Sequence, residues 1–210
     1  MIPAPTSGLP LVGRYEEEEC LMGRIVITEY ISVDGVVEAP SGAEDFARVG
    51  WVDDFRRGPE GDDFKVAETM ASDALLLGRA TYDGFAPVWP QVQGAFADKF
   101  NTMPKYVVSS TLEDPDWDNT RVLRGDVVDE VGKLKAQYDG DIVVHGSPQL
   151  AQALIEHDLV DELRLMVYPI IVGAGKRLFA QTSGTKRLQL VETKTVGDGI
   201  HILIYRPASR

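Results

Sequence analysis

Short apolar runs bounded by turn residues recur along most of the chain. The β-branched run at residues 25–31 is followed by Asp34–Gly35, as a strand leading into a turn would be. Residues 74–77 are uninterruptedly apolar, which is typical of a strand buried on both faces. The same reasoning predicts strands over residues 25–31, 74–77, 105–109, 120–123, 141–145, 161–168, 188–195 and 200–205.

The segments between these strands show the spacing of apolar residues that is typical of helices. From residue 62 to residue 74, apolar side chains recur at helical spacing and are expected to face the core: Phe64, Ala67, Met70 and Ala71. Ser147 followed by Pro148 is typical of a helix start, with Ser147 expected as the N-cap. The predicted helices cover residues 62–74, 81–85, 92–101, 126–138 and 147–157.

The alternation of strands and helices predicts a single α/β domain over residues 23–207. We expect a central mixed, mainly parallel sheet flanked by helices, and an antiparallel C-terminal hairpin that turns at residues 196–199. Residues 1–22 lack this periodicity and contain three prolines and the run Glu16–Glu19. That segment is expected to be a disordered acidic tail, or alternatively to precede a true translation start at Met22.

Charge and composition narrow the classes of function. The 210 residues include 21 Lys and Arg against 33 Asp and Glu, for a net charge of −12. A chain this acidic is repelled by nucleic acids and by anionic membranes. The single cysteine, Cys20, and the three histidines disfavour a disulfide or a metal site. We therefore expect a cytoplasmic protein that acts on a small molecule and holds no metal.

Three predicted strands end in residues that suit a bound anion. Gly78 permits a close backbone approach, Arg79 offers a planar fork for phosphate, and Thr81 is expected to cap the next helix. Three hydroxyl residues at 109–111 follow the next strand, and residues 145–150 form a small-residue turn that opens a helix. Because the carboxyl ends of parallel strands share one edge of the sheet, these segments together suit a dinucleotide.

Residues 22–206 resemble the dihydrofolate reductase-like superfamily. Within it, the chain is similar to the branch that contains the reductase domain of bifunctional riboflavin-biosynthesis deaminase-reductases and its stand-alone relatives. The segments that carry the resemblance are Ile31-Ser-Val-Asp-Gly-Val, Ala74-Leu-Leu-Leu-Gly-Arg-Ala-Thr-Tyr-Asp-Gly-Phe, Lys105-Tyr-Val-Val-Ser-Ser-Thr-Leu, Val144-His-Gly-Ser-Pro-Gln-Leu, Leu159-Val-Asp-Glu-Leu-Arg-Leu and Pro169-Ile-Ile-Val-Gly-Ala-Gly-Lys-Arg-Leu-Phe.

The resemblance implies a three-layer reductase fold, a homodimer and NADPH as the cofactor. It places the adenosine 2′-phosphate and the pyrophosphate near Gly78, Arg79, Thr81 and Tyr82, with Arg124 as a second cation. The ribose is expected near Ser109, Ser110 and Thr111, and a further pyrophosphate turn is expected at His145, Gly146, Ser147, Gln149 and Leu150. The nicotinamide is expected near Asp34 and Gly35.

Candidate substrate residues lie between the first and second strands. Trp51 and Phe55, in a long loop, are candidates to stack on a flat heterocycle. The related folate enzymes carry a catalytic carboxylate at the start of the following helix, and counting back from Gly78 favours Asp62 over its acidic neighbours Glu60 and Asp63. The alternative is that such a carboxylate only stabilises the helix N-terminus.

These observations predict an NADPH-dependent reductase that transfers a hydride to a small polar heterocycle, such as a pterin or an aminopyrimidine. The zinc deaminase signature of the bifunctional riboflavin enzymes, His-x-Glu with Pro-Cys-x-x-Cys, does not occur in the chain. The alternative is a non-catalytic NADP(H)-binding or dimeric scaffold protein with the same fold, since a fold alone does not define an activity.

Overall fold

The computed structural model describes residues 22–42 and 46–208. The predicted acidic tail and the alternative start concern residues 1–22, all but the last of which lie outside the described residues. Across the described ranges, no helix combines the length and the apolar character needed to cross a membrane.

Strands and helices alternate as the apolar pattern predicts. The strands are β1 (Arg24–Ser32), β2 (Ser72–Gly78), β3 (Lys105–Val108), β4 (Thr120–Leu123), β5 (Asp141–His145), β6 (Glu162–Tyr168), β7 (Leu188–Val196) and β8 (Ile200–Pro207). The helices are α1 (Gly58–Ala71), α2 (Arg79–Phe85), α3 (Ala95–Thr102), α4 (Val127–Lys135) and α5 (Pro148–Glu156), with a short 3₁₀ turn at Trp89–Gln91.

All eight strands form one sheet in the order β4-β3-β2-β5-β1-β6-β8-β7. The pairs from β4 to β6 are parallel, whereas β8 runs antiparallel to both of its neighbours. The strand β1 lies at the centre, with Thr28 opposite His145 of β5 and opposite Arg164 of β6. The predicted mainly parallel sheet with a C-terminal antiparallel hairpin is confirmed.

Helices cover both faces of the sheet. On one face, Val131 and Leu134 of α4 and Leu154 of α5 pack against alternate residues of the central strands, such as Ile27 and Leu76. On the other face, α2 and α3 pack through Tyr82 and Phe100 against Leu75, Leu77 and Val107. Right-handed crossovers explain this division, because connections that move in opposite directions along a parallel sheet lie on opposite faces. The result is the three-layer architecture that the resemblance implies.

The face that α1 buries differs from the predicted one. The helix buries polar side chains, among them Lys65 and Glu68 at 7% and 5% exposure, while the apolar Met70 is 41% exposed. Ala67 and Ala71 are exposed as well. Of the four residues predicted to face the core, only Phe64 packs against it. The rest of the prediction was wrong because the sheet opposite this helix presents the hydroxyl of Thr28, so the contacts of Lys65 and Glu68 are hydrogen bonds and an ion pair.

The hairpin β7–β8 holds the segment that precedes α1. The backbone N–H of Arg56 donates to the Asp198 carboxylate at 2.8 Å, and the N–H of Asp198 donates back to the Arg56 carbonyl at 2.9 Å. A Cβ on Gly197 would lie 1.9 Å from that carbonyl oxygen, so only glycine permits this approach. The segment that leads into α1 is therefore positioned by Asp198, 142 residues after Arg56.

Candidate cofactor and substrate site

The carboxyl ends of β1, β2 and β5 form the edge of the sheet where a ligand is expected. After β1 and β2 the chain continues to the face of the sheet that α1 and α2 cover. After β5 it continues to the opposite face of the sheet, which α5 covers. In open α/β sheets a crevice forms where neighbouring strands diverge in this way, and ligands bind there. The segments that the sequence singles out for an anion end at this edge.

Two of the predicted anion-binding turns are joined by hydrogen bonds. The Gly78 N–H donates to Ser147 Oγ at 2.9 Å, and the Ser147 N–H donates to Thr81 Oγ1 at 2.8 Å. Ser147 occupies the predicted N-cap position before Pro148, but its hydroxyl makes no cap hydrogen bond to α5. The cap role predicted for Thr81 was wrong, because Gly78 is the N-cap of α2 and Thr81 lies inside the helix. Both side chains are instead used to link the β2–α2 turn to the β5–α5 turn, 66 and 69 residues apart.

The β5–α5 turn has an unusual backbone that presents a free helix N-terminus. Gly146 and Ser147 both adopt left-handed φ values, +57° and +59°. A Cβ on Gly146 would lie 3.2 Å from the Thr81 side chain, a tight contact that would require Thr81 to shift. Because α5 has no side-chain cap, its first-turn amides, at Gln149 and Leu150, retain the capacity to bind an anion. The Gln149 side chain is exposed, whereas that of Leu150 packs in the core.

Arg79 joins the ends of β2 and β3. Its guanidinium pairs with the Asp83 carboxylate at 2.7 and 2.9 Å and donates to Thr111 Oγ1 at 3.2 Å. Ser109 Oγ accepts the Thr111 N–H at 3.2 Å, while Ser110 is exposed. The predicted phosphate and ribose contacts therefore lie next to each other, with Ser110 and Thr111 exposed and Ser109 buried.

Arg124 and Tyr82 have structural partners. Arg124, just after β4, donates to the Leu112 carbonyl at 2.6 Å and so supports the loop that follows the hydroxyl residues. Tyr82 is buried, and its hydroxyl donates to Asp116 at 3.0 Å and accepts the N–H of Asp116 and of Trp117. Burial raises the pKa of the Tyr82 phenol. Its side chain therefore fills the core under α2 instead of facing the strand ends.

Asp34 fastens the first turn to the segment after β6. Its carboxylate accepts the Ser32 hydroxyl at 2.7 Å and the N–H groups of Val172 and Gly173 at 3.0 and 2.9 Å. The Ser32 hydrogen bond is the largest cause that lowers the pKa of Asp34 to about 2. Gly35 follows with φ +84°, a left-handed value that the tight turn requires. The predicted nicotinamide-end turn is thus rigidly placed.

An aromatic wall lies beside the first turn of α1. Tyr30, Trp51 and Phe55 each pack edge-on against Tyr168, with ring centroids 5.6 to 5.7 Å apart. The Trp51 indole N–H donates to the Glu38 carbonyl, so Trp51 is a buried part of this wall and Phe55 is its more open member. We find the two predicted stacking residues together, packed on Tyr168.

Asp62 lies on the outer side of the same wall. Its side chain is 59% exposed and pairs with Arg57 at 2.9 Å. Arg57 also donates to the Tyr30 hydroxyl and lies 5.5 Å from the centroid of the Tyr30 ring. The predicted catalytic carboxylate is therefore a solvent-facing member of an Arg57–Tyr30 network at the start of α1.

A buried polar cluster under α1 was not predicted from the sequence. Lys65 forms an ion pair with Glu68, and it donates to Thr28 Oγ1 at 3.0 Å. Thr28 Oγ1 donates in turn to Glu68 Oε1 at 3.0 Å. Lys65 and Glu68 at helical i, i+3 spacing are typical of an exposed surface pair, so the pattern itself carries no signal of burial.

Two further buried titratable groups, Glu29 and His145, lie close enough to Lys65 to be influenced by its charge. Burial raises the pKa of Glu29 well above its usual value, opposed by the Lys65 ammonium and the Gly146 N–H. Burial lowers the pKa of His145 well below its usual value, and the Lys65 ammonium adds to that effect. Burial therefore favours the neutral acid form of Glu29 and the neutral imidazole form of His145. We refer to Thr28, Glu29, Lys65, Glu68 and His145 together as the buried polar cluster.

Two cavities near the domain surface lie elsewhere. One, of about 920 Å³, borders α5 and the segment at residues 178–188. The other, of about 530 Å³, borders the beginnings of β3 and β4, at the opposite edge of the sheet. None of the predicted cofactor or substrate residues lines either cavity. Within residues 22–42 and 46–208, no group of three His, Cys, Asp or Glu side chains is arranged to hold a metal ion.

Comparison with known families agrees with this architecture. Residues 24–202 match the model of the RibD C-terminal domain, and the chain belongs to that family. The predicted membership of the riboflavin reductase branch of the dihydrofolate reductase-like superfamily is confirmed. Membership of this family supports a function of the reductase type.

Individual relatives show the same relationship. The chain is 27% identical over 189 residues to the uncharacterized protein YyaP of Bacillus subtilis, covering 87% of this chain and 94% of the relative. A crystal structure of a putative riboflavin biosynthesis protein from Shewanella sp. PV-4 superposes with a TM-score of 0.72 at 21% identity, covering 89% of this chain and 99% of that one. Dihydrofolate reductase from Enterococcus faecalis, complexed with NADP(H), superposes with a TM-score of 0.58 at 17% identity, covering 90% and 99%.

Proposed function

We propose that this protein is an NADPH-dependent reductase that transfers a hydride to a small polar heterocycle of the pterin or aminopyrimidine kind. The observation that supports this most directly is the linked pair of turns at the strand ends. The Gly78 and Ser147 amides hold the two turns together. The turns carry the Thr81 hydroxyl, Arg79 and the uncapped N-terminus of α5, which are groups that bind a dinucleotide phosphate.

The chemistry of these groups fits the cofactor. Thr81 Oγ1 accepts the Ser147 N–H and keeps its own hydrogen to donate to a phosphate oxygen. The uncapped N-terminus of α5 offers amide donors and a positive dipole end. Arg79 offers the only type of side chain that binds a phosphate through two parallel donors. Because the net charge is −12, these local groups must overcome long-range repulsion of an anionic ligand.

In the proposed reaction, the bound cofactor supplies the hydride and the protein supplies position and a dry environment. Residues at the ends of β2, β3 and β5 would hold the phosphates and the adenosine. Asp34 and Gly35 would fix the backbone at the nicotinamide end. Phe55 would bound the heterocycle on one side, and Asp62 would meet its polar edge at the mouth of the crevice.

Calorimetry with NADPH and NADH on the full chain, followed by NADPH oxidation in the presence of dihydrofolate or an aminopyrimidine, tests the proposal. We expect NADPH to bind more tightly than NADH and to be consumed only when an acceptor is added. Binding of NADPH without oxidation by any such heterocycle would favour the non-catalytic scaffold instead. Absence of NADPH binding would refute the proposal.

A further inference from the structure

The buried polar cluster is not a closed structural network. Three of its buried polar atoms and one of its neighbour Thr69 find no hydrogen-bond partner among the described residues: Glu29 Oε1, Glu68 Oε2, His145 Nε2 and Thr69 Oγ1. Polar groups buried for stability alone are almost always satisfied. Glu68 and His145 both lie close to Lys65, so a polar ligand bound beside Lys65 would complete this network.

The cluster lies at the strand ends that are proposed to hold the cofactor. Thr28 sits opposite His145 in the β1–β5 register, and His145 directly precedes the turn at Gly146. The Lys65 ammonium is hydrogen-bonded to Thr28 and lies 5.1 Å from the centroid of the Tyr30 ring, which belongs to the aromatic wall. Lys65 is thus placed between the proposed cofactor turn and the proposed wall of the substrate site.

Lys65 is the charged donor at the centre of this arrangement. Glu68 pairs with it directly, and Glu29 from β1 and His145 from β5 are near enough for the ammonium to influence both of them. Together with Tyr30, whose ring centroid lies 5.1 Å from the ammonium, these are the titratable groups near Lys65 on α1, β1 and β5. Asp62, one turn earlier on α1, faces solvent and pairs with Arg57 instead.

We propose that Lys65 contacts the substrate and donates the proton that accompanies the hydride, with Glu68 and Thr28 as positioning residues. The inference rests on the reductase function proposed above, and it identifies the substrate as a heterocycle whose reduced bond is C=N or C=O. As the carbon of that bond accepts the hydride, its heteroatom gains the π electron pair and takes a proton from the Lys65 ammonium. The neutral amine then regains a proton from water.

Two measurements on the full chain test this assignment. The first is calorimetric binding of 5,6-diaminouracil and of 7,8-dihydropterin to the NADP⁺-loaded protein, which requires no turnover. The second is NADPH oxidation with dihydrofolate and with the riboflavin-pathway aminopyrimidine as acceptors. The test protein is the double variant Lys65→Met/Glu68→Leu, which removes both charges and leaves no unpaired buried ion. The matched control is Lys133→Met/Glu130→Leu, because Glu130 and Lys133 form an i, i+3 pair at 2.8 Å on the exposed side of α4.

We expect the double variant to bind the heterocycles about 10- to 100-fold more weakly, as the loss of a charged hydrogen bond would produce. Its NADPH oxidation should fall by about 100-fold or more, the usual contribution of a positioned acid. NADPH affinity should stay within about threefold of wild type, and the control pair should change neither measurement. If the double variant fails to fold, the near-isosteric Glu68→Gln variant should still weaken heterocycle binding by about 10-fold.

Each alternative result has a separate meaning. Heterocycle binding and turnover at wild-type levels in the double variant would overturn the assignment of Lys65. Wild-type protein that binds NADPH but neither heterocycle would also overturn it, while leaving the proposed cofactor intact. Wild-type protein that does not bind NADPH would instead refute the proposed function itself.

Discussion

Replacing Arg79 with alanine should weaken the binding of NADPH and leave the binding of NADH almost unchanged. Arg79 is 40% exposed and is held by Asp83, with a further hydrogen bond to Thr111. A guanidinium placed in this way is available to the 2′-phosphate that only NADPH carries. NADH lacks that group, so its affinity should be almost unchanged in Arg79→Ala.

The size of the effect follows from the competition between Asp83 and the phosphate. A charged hydrogen bond contributes about 1.5–3 kcal/mol, whereas an exposed i, i+4 ion pair such as Arg79–Asp83 contributes only about 0.3–0.5 kcal/mol. If the phosphate replaces Asp83 as the partner, the net contribution is about 1–2.5 kcal/mol, or about 5- to 70-fold in affinity. Asp83→Asn should remove the competitor and tighten NADPH binding by about twofold.

Titration calorimetry of both cofactors with wild type, Arg79→Ala and Asp83→Asn provides the measurement. The difference between wild type and Arg79→Ala should shrink as salt is added, since both partners are exposed charges. Equal losses of affinity for NADPH and NADH would show that Arg79 supports the fold of the β2–α2 turn and does not bind the 2′-phosphate. Weaker NADPH binding in Asp83→Asn would contradict the idea that Asp83 competes.

Other parts of the site give independent predictions. Ser147→Ala should lower the free energy of unfolding by about 1–3 kcal/mol in urea denaturation, because it leaves the Gly78 N–H without its acceptor. Gly146→Val should abolish NADPH binding in calorimetry while the protein remains folded, because its φ of +57° is left-handed and a Cβ would meet Thr81 at 3.2 Å; near wild-type affinity would place the pyrophosphate elsewhere. Folding lowers the pKa of Asp34 from 3.8 to about 2, so its stabilising effect is complete above the higher value and disappears as the pH falls through the lower one. Asp34→Asn should therefore melt at a lower temperature than wild type at neutral pH, with the gap closing toward acid in pH-dependent thermal scans. The homodimer implied by the family resemblance should appear in light scattering at micromolar concentration, and a monomer would count against it.

Most of the fold could be predicted because its signals are local. The run Ala74-Leu-Leu-Leu and the turn at residues 196–199 each define a strand or a hairpin without reference to the rest of the chain. The boundaries of α1 were less accurate: it begins at Gly58 instead of residue 62, and residues 72 and 73 belong to β2. Gly58 and Pro59 suggest a loop when read locally, but contact with Gly197 of the distant hairpin holds them at the helix start.

The positions of the site segments could also be predicted, but not the partners of their side chains. Ser147 and Thr81 each precede or begin a helix and so suggest caps, yet each bonds the other's turn because two distant loops meet. The polar face of α1 was missed for a related reason. Periodicity identifies an apolar face, and Lys65 and Glu68 are buried only because Thr28 and His145 lie opposite them, which no local pattern records.

The central position of β1 has a consequence for how the chain is made. Its neighbours β5 and β6 come late, so that Arg24 meets its partner Asp141 only 117 residues further along. A nascent chain leaving the ribosome must therefore carry the apolar segment Ile25-Val26-Ile27 without a strand partner until His145 has been synthesised, and without its second partner until Tyr168 has been synthesised. Folds with such distant strand pairings form slowly, and their unpaired apolar segments can associate with other chains before folding is complete. Fragments that stop before β6 should accumulate as aggregates, and the crevice with its buried lysine can assemble only after synthesis is nearly complete.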